Sequence, residues 1–155
     1  MKLFYLLIST FFIYAQSADE LLKLGNKAIE AKNATEAVKY YQEAIQKKPS
    51  AIAYYNLGNA FMHMNLFTEA RVHYNKAMEF KEINDLADLN YNIGNSYLLE
   101  SKPDTAIGYY KKALELNDKD EDAKYNMELA RAIIKEKSKK EQQKGPPGVK
   151  SARGV

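Results

Sequence analysis

A chain of 155 residues that is 46% hydrophobic and 28% charged has room for one ordinary domain with a buried core, and it is not disordered throughout. The absence of cysteine excludes disulfides, thiolate metal sites, thiol catalysis and lipid attachment through cysteine. A formal net charge of +3 is too small by itself to imply a nucleic-acid partner, which needs many clustered cations.

Residues 1–17 read as a secretory signal peptide. Met1-Lys2 is followed by an apolar run from Leu3 to Ala15, broken only by Ser9 and Thr10, and then by Gln16-Ser17-Ala18. A membrane anchor is the competing reading, but a helix over that run reaches only ~20 Å against a hydrocarbon core of ~30 Å. Ala15 and Ser17 fit the small-x-small pattern and place cleavage near Ser17, which leaves no spanning segment in the mature chain.

From Ala18 onward apolar residues recur at three- and four-residue spacings, without the alternating β-branched runs that mark strands, so the fold is expected to be all-α. The stretch Tyr54-Tyr55-Asn56-Leu57-Gly58-Asn59 returns as Asn90-Tyr91-Asn92-Ile93-Gly94-Asn95, with an earlier echo ending Gly25-Asn26 and a later one at Tyr125-Asn126-Met127-Glu128. Twelve residues after each glycine stands Ala37, Ala70 or Ala106, and nineteen after it Ala44, Ala77 or Ala113. Tyrosine recurs between them at Tyr41, Tyr74 and Tyr110. These columns read as two antiparallel helices per copy, with small residues where axes approach closely. A glycine in mid-helix costs ~1 kcal/mol relative to alanine, which makes sense only where a neighbouring helix packs on it.

Turns are expected at Lys32-Asn33, Met64-Asn65-Leu66 and Ser101-Lys102, with Pro103 in the first turn of its helix and Pro49 closing the first copy. The copies occupy 18–50, 51–86 and 87–120. The fourth keeps only a first helix, over 121–142, where Glu128 replaces the glycine. It reads as a cap with Ala123, Met127, Ala130 and Ile134 turned inward and Glu128, Arg131, Lys135 and Glu136 toward water. Residues 143–155 read as a disordered basic tail that lacks the apolar residues needed to offset its ordering entropy.

With these columns the chain resembles the tetratricopeptide repeat family, whose unit is a helix-turn-helix of about 34 residues stacked into a right-handed superhelix. Here Gly25, Gly58 and Gly94 lie 33 and 36 residues apart, and the closing proline is replaced by Glu82 and Asp118. These departures point to a longer or bent junction between the second and third copies, around Lys81 to Leu86. The expected architecture is therefore a tetratricopeptide α-solenoid of three repeats and a C-terminal capping helix.

Sites of chemistry are scarce. There is no glycine-rich phosphate loop and no nucleophile or metal-ligand constellation, and His63 and His73 stand ten residues apart, a spacing no common chelating motif uses. An enzyme is not expected, nor a metal or other cofactor. The lysine-rich end has interspersed acids and no aromatics for base stacking, which speaks against nucleic acid.

What remains is a ladder of asparagines. Asn56, Asn92 and Asn126 lie two before the glycine position, and Asn26, Asn59 and Asn95 just after it. Three residues apart on a helix, such a pair shares a face. The resemblance implies that the first helices line a concave groove in which these asparagines hold the backbone of an extended peptide. An amide donates and accepts at once, matching peptide C=O and N–H groups. Tyr55 and Tyr91 would add apolar walls with a polar tip, and Met62, His63, Leu98 and Leu99 would extend the floor. The competing reading has the asparagines bonding within the array itself. Five or six such bonds at ~1 kcal/mol each imply only millimolar to micromolar binding unless apolar pockets contribute.

Chaperone-binding members of the family clamp a terminal carboxylate with basic residues. Asn26 and Asn56 match the clamp's asparagines, but Leu22, Asp88 and Asn92 stand where its lysines and arginine would be, so that clamp is not expected here. The chain also resembles the small exported tetratricopeptide proteins of bacterial aerotolerance (Bat) operons, which accompany von Willebrand-type domain proteins and a MoxR-type ATPase. The implied function is a periplasmic protein-protein interaction adaptor of an envelope complex. Competing functions are a self-assembling structural array and docking to an anionic surface through the basic tail.

Overall fold

The computed structural model describes residues 16–80 and 85–144. The proposed signal segment up to residue 15 and the tail beyond residue 144 lie outside the described residues, as does most of the junction expected around Lys81 to Leu86. Among the described residues the chain forms seven helices and no strand: α1 (Ala18–Glu30), α2 (Ala34–Lys47), α3 (Ala51–His63), α4 (Phe67–Met78), α5 (Leu86–Leu99), α6 (Pro103–Leu116) and α7 (Glu121–Lys144).

Local chemistry explains the helix ends. Ser17 and Glu20 form a reciprocal capping box at the start of α1, satisfying two backbone donors that no helical carbonyl can reach. Asn33 caps α2 through the Glu36 amide, Ser50 caps α3 through Ala53, and Asp120 caps α7 through Ala123. Pro103 occupies the first turn of α6, where its missing N–H would have had no partner.

The three turns inside the helix pairs share one geometry. Lys32, Asn65 and Ser101 adopt positive φ of 58°, 58° and 60°. The amide after each reaches back to a carbonyl five residues earlier, as Asn33 to Ala28, Leu66 to Phe61 and Lys102 to Tyr97. This is the Schellman ending, and none of the three positions uses glycine, the residue that adopts it without steric cost.

The alanine columns form the spine of the core. Ala37, Ala44, Ala70, Ala77, Ala106 and Ala113 are completely buried, as are Tyr74, Tyr110 and Leu89, and Tyr41, Leu57 and Ile93 nearly so. Leu24, in the column of Leu57 and Ile93, is only half-buried, since among the described residues no helix pair precedes α1. On α7, Ala123 and Ala130 are buried and Met127 and Ile134 half-buried, while Glu128, Arg131, Lys135 and Glu136 are exposed. The helix continues through Lys144, two residues past the expected end of the cap. A Glu136–Lys140 pair supports its last turns, and no breaker intervenes before Gly145-Pro146.

The connection from α4 to α5 is longer than those between the other copies, and a polar cluster ties its two helices together. The Arg71 guanidinium of α4 donates to the Ser96 Oγ at 3.1 Å and lies 4.2 Å over the Tyr97 ring, both on α5, and pairs at 3.0 Å with Glu100, the C-cap of that helix. Lys102 closes on the same carboxylate at 2.9 Å. The two cations hold the Glu100 carboxyl below its ordinary range, Arg71 being the main cause. No repeat column announces this cluster, because Arg71 has no counterpart at Val38 or Ile107.

Candidate functional site

Each helix pair contains the same three-residue unit. The tyrosine of the second helix lays its ring against the glycine of the first, so closely that a Cβ on Gly25, Gly58 or Gly94 would meet Tyr41, Tyr74 or Tyr110 Cε1 at 2.3, 2.5 and 2.7 Å. The glycine is thus required by a neighbouring ring, as its mid-helix cost implied. The tyrosine hydroxyl then donates to the asparagine after the glycine, Tyr41 to Asn26 Oδ1 at 2.7 Å, Tyr74 to Asn59 at 2.7 Å and Tyr110 to Asn95 at 2.8 Å. Burial pushes the Tyr41 hydroxyl up to about 12 and those of Tyr74 and Tyr110 higher, so all three remain donors across the physiological range.

A second set of bonds links one copy to the next. Asn92 Nδ2 donates to the Tyr55 hydroxyl at 3.1 Å, and Asn126 Nδ2 to the Tyr91 hydroxyl at 3.2 Å and to Asn95 Oδ1 at 2.9 Å. Asn56 Nδ2 reaches Asn26 Oδ1 at 3.4 Å. The rings of Tyr55 and Tyr91 rest against Tyr74 and Tyr110, with centroids 6.0 Å apart in both cases. The tyrosine tips expected to face a ligand therefore already accept a bond from the following copy.

Internal bonding uses only one half of each amide. Among the described residues no hydrogen bond leaves the Nδ2 groups of Asn26, Asn59 and Asn95, and none reaches the Oδ1 atoms of Asn56, Asn92 and Asn126. Donors thus remain on the asparagines after the glycine position, and acceptors on those before it. Asn26, Asn56, Asn59 and Asn92 converge on one open cleft of about 420 Å³, together with Ile29, Glu30, Met62, His63 and the edges of Tyr41 and Tyr74. Tyr55 on α3 lies outside its lining, as do Tyr91, Asn95 and Asn126 on the continuation of the same columns along α5 and α7.

The two histidines have separate environments. His63 is exposed and lines the cleft. His73 is half-buried, stacked on Phe61 at 5.2 Å and beside Tyr54 at 6.1 Å, and its buried Nδ1 has no hydrogen-bond partner among the described residues. Burial pushes its imidazole down from the ordinary value. Among the described residues no group of three histidines or carboxylates is arranged to hold a metal, and no helix is long and apolar enough to cross a membrane.

The pairing of Asn26, Asn59 and Asn95 with tyrosine was missed by reading the helix faces alone. Its signal was present in the constant fifteen-residue interval between each asparagine and its tyrosine.

Comparison with known proteins agrees with this geometry. Residues 49–119 match the family model of the tetratricopeptide repeat. Over 68 residues the chain is 37% identical to two Hsp70-Hsp90 organising proteins of Plasmodium falciparum, an alignment that covers 43% of this chain and 27% and 12% of those proteins. It thus spans about a quarter or less of the curated relatives it matches. Among solved structures, the Arabidopsis OM64 TPR domain superposes with a TM-score of 0.68 at 25% identity, over 74% of this chain and 94% of that one. The first TPR of Spaghetti (RPAP3), bound to an HSP90 peptide, gives 0.69 at 20% identity, over 77% and 96%. YrrB, described as a TPR protein with an unusual peptide-binding site, gives 0.63 at 25% identity, over 74% and 58%. The fold is that of a tetratricopeptide α-solenoid.

Proposed function

We propose that this protein is a non-catalytic adaptor that holds an extended segment of a partner protein in the groove lined by α1, α3, α5 and α7. The observation that carries this reading is the set of half-used amides. Free donors on Asn26, Asn59 and Asn95 and free acceptors on Asn56, Asn92 and Asn126 run along one face, in the alternation that a peptide backbone requires. A solenoid of similar fold holds an HSP90 peptide, which supports the same use here. The peptide class differs, since Leu22, Asp88 and Asn92 occupy positions where a carboxylate clamp would need cations.

The finer parts of the proposal rest on sequence. The apolar run from Leu3 to Ala15 supports export to the periplasm, and the capping helix and lysine-rich end support membership of an envelope complex of the Bat type with von Willebrand-type partners. Processing has a structural consequence that a mass measurement of the secreted protein reads directly. A chain beginning at Ser17 keeps the capping box of α1, and one beginning at Ala18 loses it, at a cost of ~1 kcal/mol.

The test is recovery of the partner by the mature protein and by an Asn56→Ala/Asn92→Ala variant with an unchanged melting temperature. Loss of recovery is expected. Undiminished recovery would remove the groove from the function.

A further inference from the structure

The fourth copy departs from the others in a patterned way. In α7, Leu129 stands where Asn26, Asn59 and Asn95 stand in the first helices, and Ile133 where His63 and Leu99 stand. Among the described residues α7 has no paired second helix, and so no tyrosine for an asparagine at that position to bond. A solvent-facing cap would fill the vacated position with a polar residue. It is filled with leucine instead, and Tyr125, Leu129 and Ile133, spaced four residues apart on one face, are 69%, 41% and 40% exposed. Leu99 on α5 adds to them at 61% exposure. The Asn126 bonds to Tyr91 and Asn95 fix α7 beside α5, so this apolar ledge continues the groove of the first helices.

The end of the solenoid is closed by contrast. Tyr54 and Phe61 of α3 turn toward the paired helix α4, where they meet His73, but the corresponding residues of α7 are Lys124 and Arg131. These pair with Glu121 and Glu128 on their own helix. That face of α7 is therefore charged, while the apolar residues lie on the face that adjoins α5. At the N-terminal end of α5, Asp88 lies on the face that carries Asn92, Asn95 and Leu99, at spacings of four, seven and eleven residues. Burial, and then the charges of Asp85 and Asp120, raise its carboxyl from the ordinary value. Among the described residues none of the three has an ion-pair partner.

We infer that the C-terminal half of the groove selects a partner segment in which apolar side chains adjoin lysine or arginine, the apolar groups resting on the Leu99–Tyr125–Leu129–Ile133 ledge and the cations facing the aspartates. This rests on the groove reading above and gives it a ligand class, opposite in charge to the acidic HSP90 peptide SRMEEVD held by the similar solenoid.

The experiment uses labelled synthetic peptides in which leucine and phenylalanine alternate with lysine, the same peptides with glutamate, and a lysine control with serine in place of the apolar residues. Binding by fluorescence polarisation is expected for the apolar lysine form, at least about tenfold tighter than for the other two. Leu129→Asn, which restores the residue of the other copies, should weaken it about tenfold or more with an unchanged melting curve. Asp88→Asn should remove much of the preference for lysine over glutamate. Equal binding of the two charge forms, or full affinity in Leu129→Asn, would overturn the inference. So would self-association of the wild type that Leu129→Asn abolishes, which would give the ledge to a second copy. If no peptide binds while a partner is still captured through Asn56 and Asn92, the groove stands and the ligand class falls. If the lysine peptide binds through Leu129 but is indifferent to Asn56→Ala/Asn92→Ala, the ledge stands and the amide reading falls.

Discussion

Gly58 shows how a single position is decided by competing magnitudes. Helix propensity alone would favour alanine by about 1 kcal/mol. The added Cβ, however, would lie 2.5 Å from Tyr74 Cε1, and that ring is fully buried and anchored by its bond to Asn59. The ring cannot swing away without leaving a buried hydroxyl unpaired, so overpacking wins. Gly58→Ala is expected to destabilise the fold by about 1–3 kcal/mol in urea titration. Gly108, exposed in mid-α6, has nothing within 4 Å of its Cβ position. Gly108→Ala is accordingly expected to stabilise by about 0.5–1 kcal/mol, and equal effects of the two substitutions would contradict the assigned role of the tyrosine ring. The glycine's need for a close neighbour was legible in the sequence, because a mid-helix glycine repeated in three copies demands a reason. The identity of that neighbour was not, since it lies across the turn on the other helix.

Between helices, the α3–α4 pair carries a titratable contact. His73 of α4 is packed against Phe61 and Tyr54 of α3 with its Nδ1 buried and unbonded, an environment that disfavours the imidazolium. Its folded-state pKa is therefore lowered from 6.5, while the unfolded chain keeps the ordinary value. The unfolded state binds more protons between the two values, so stability is fully present above pH ~6.5 and falls as pH drops from there through the lowered value. Urea midpoints at pH 7.5 and 5.5 should show this loss, and His73→Phe should flatten it. An equal loss in the variant would assign it to other groups. The helix pairs themselves were readable from periodicity, and so were their turns, because Lys32-Asn33, Asn65 and Ser101 interrupt the apolar rhythm. The Arg71–Glu100 cluster was not readable, because it occurs once and depends on the approach of α4 to α5.

Taken together, three near-identical units and a cap form a solenoid whose backbone-like amides face one groove. The face carrying Asn56, Asn59, Asn92 and Asn95 could be predicted, because a three-residue spacing on a helix fixes a common side. Two features could not. Half of each amide is committed to tyrosine or to the adjoining copy, which depends on the reach of side chains from other helices. The apolar ledge on α7 depends on the exposure of Leu129 and Ile133, which periodicity alone does not give.

Site-specific photo-crosslinking in the producing cell tests the groove most directly. A benzoylphenylalanine replacing His63, which lines the cleft, is compared with one replacing Val72, which is exposed on α4 two residues from the buried Tyr74. The same partner protein should be captured from position 63 and not from position 72, and capture from 63 should be lost in Asn56→Ala/Asn92→Ala. Equal capture from both positions, or capture from 72 alone, would contradict an adaptor that works through its groove.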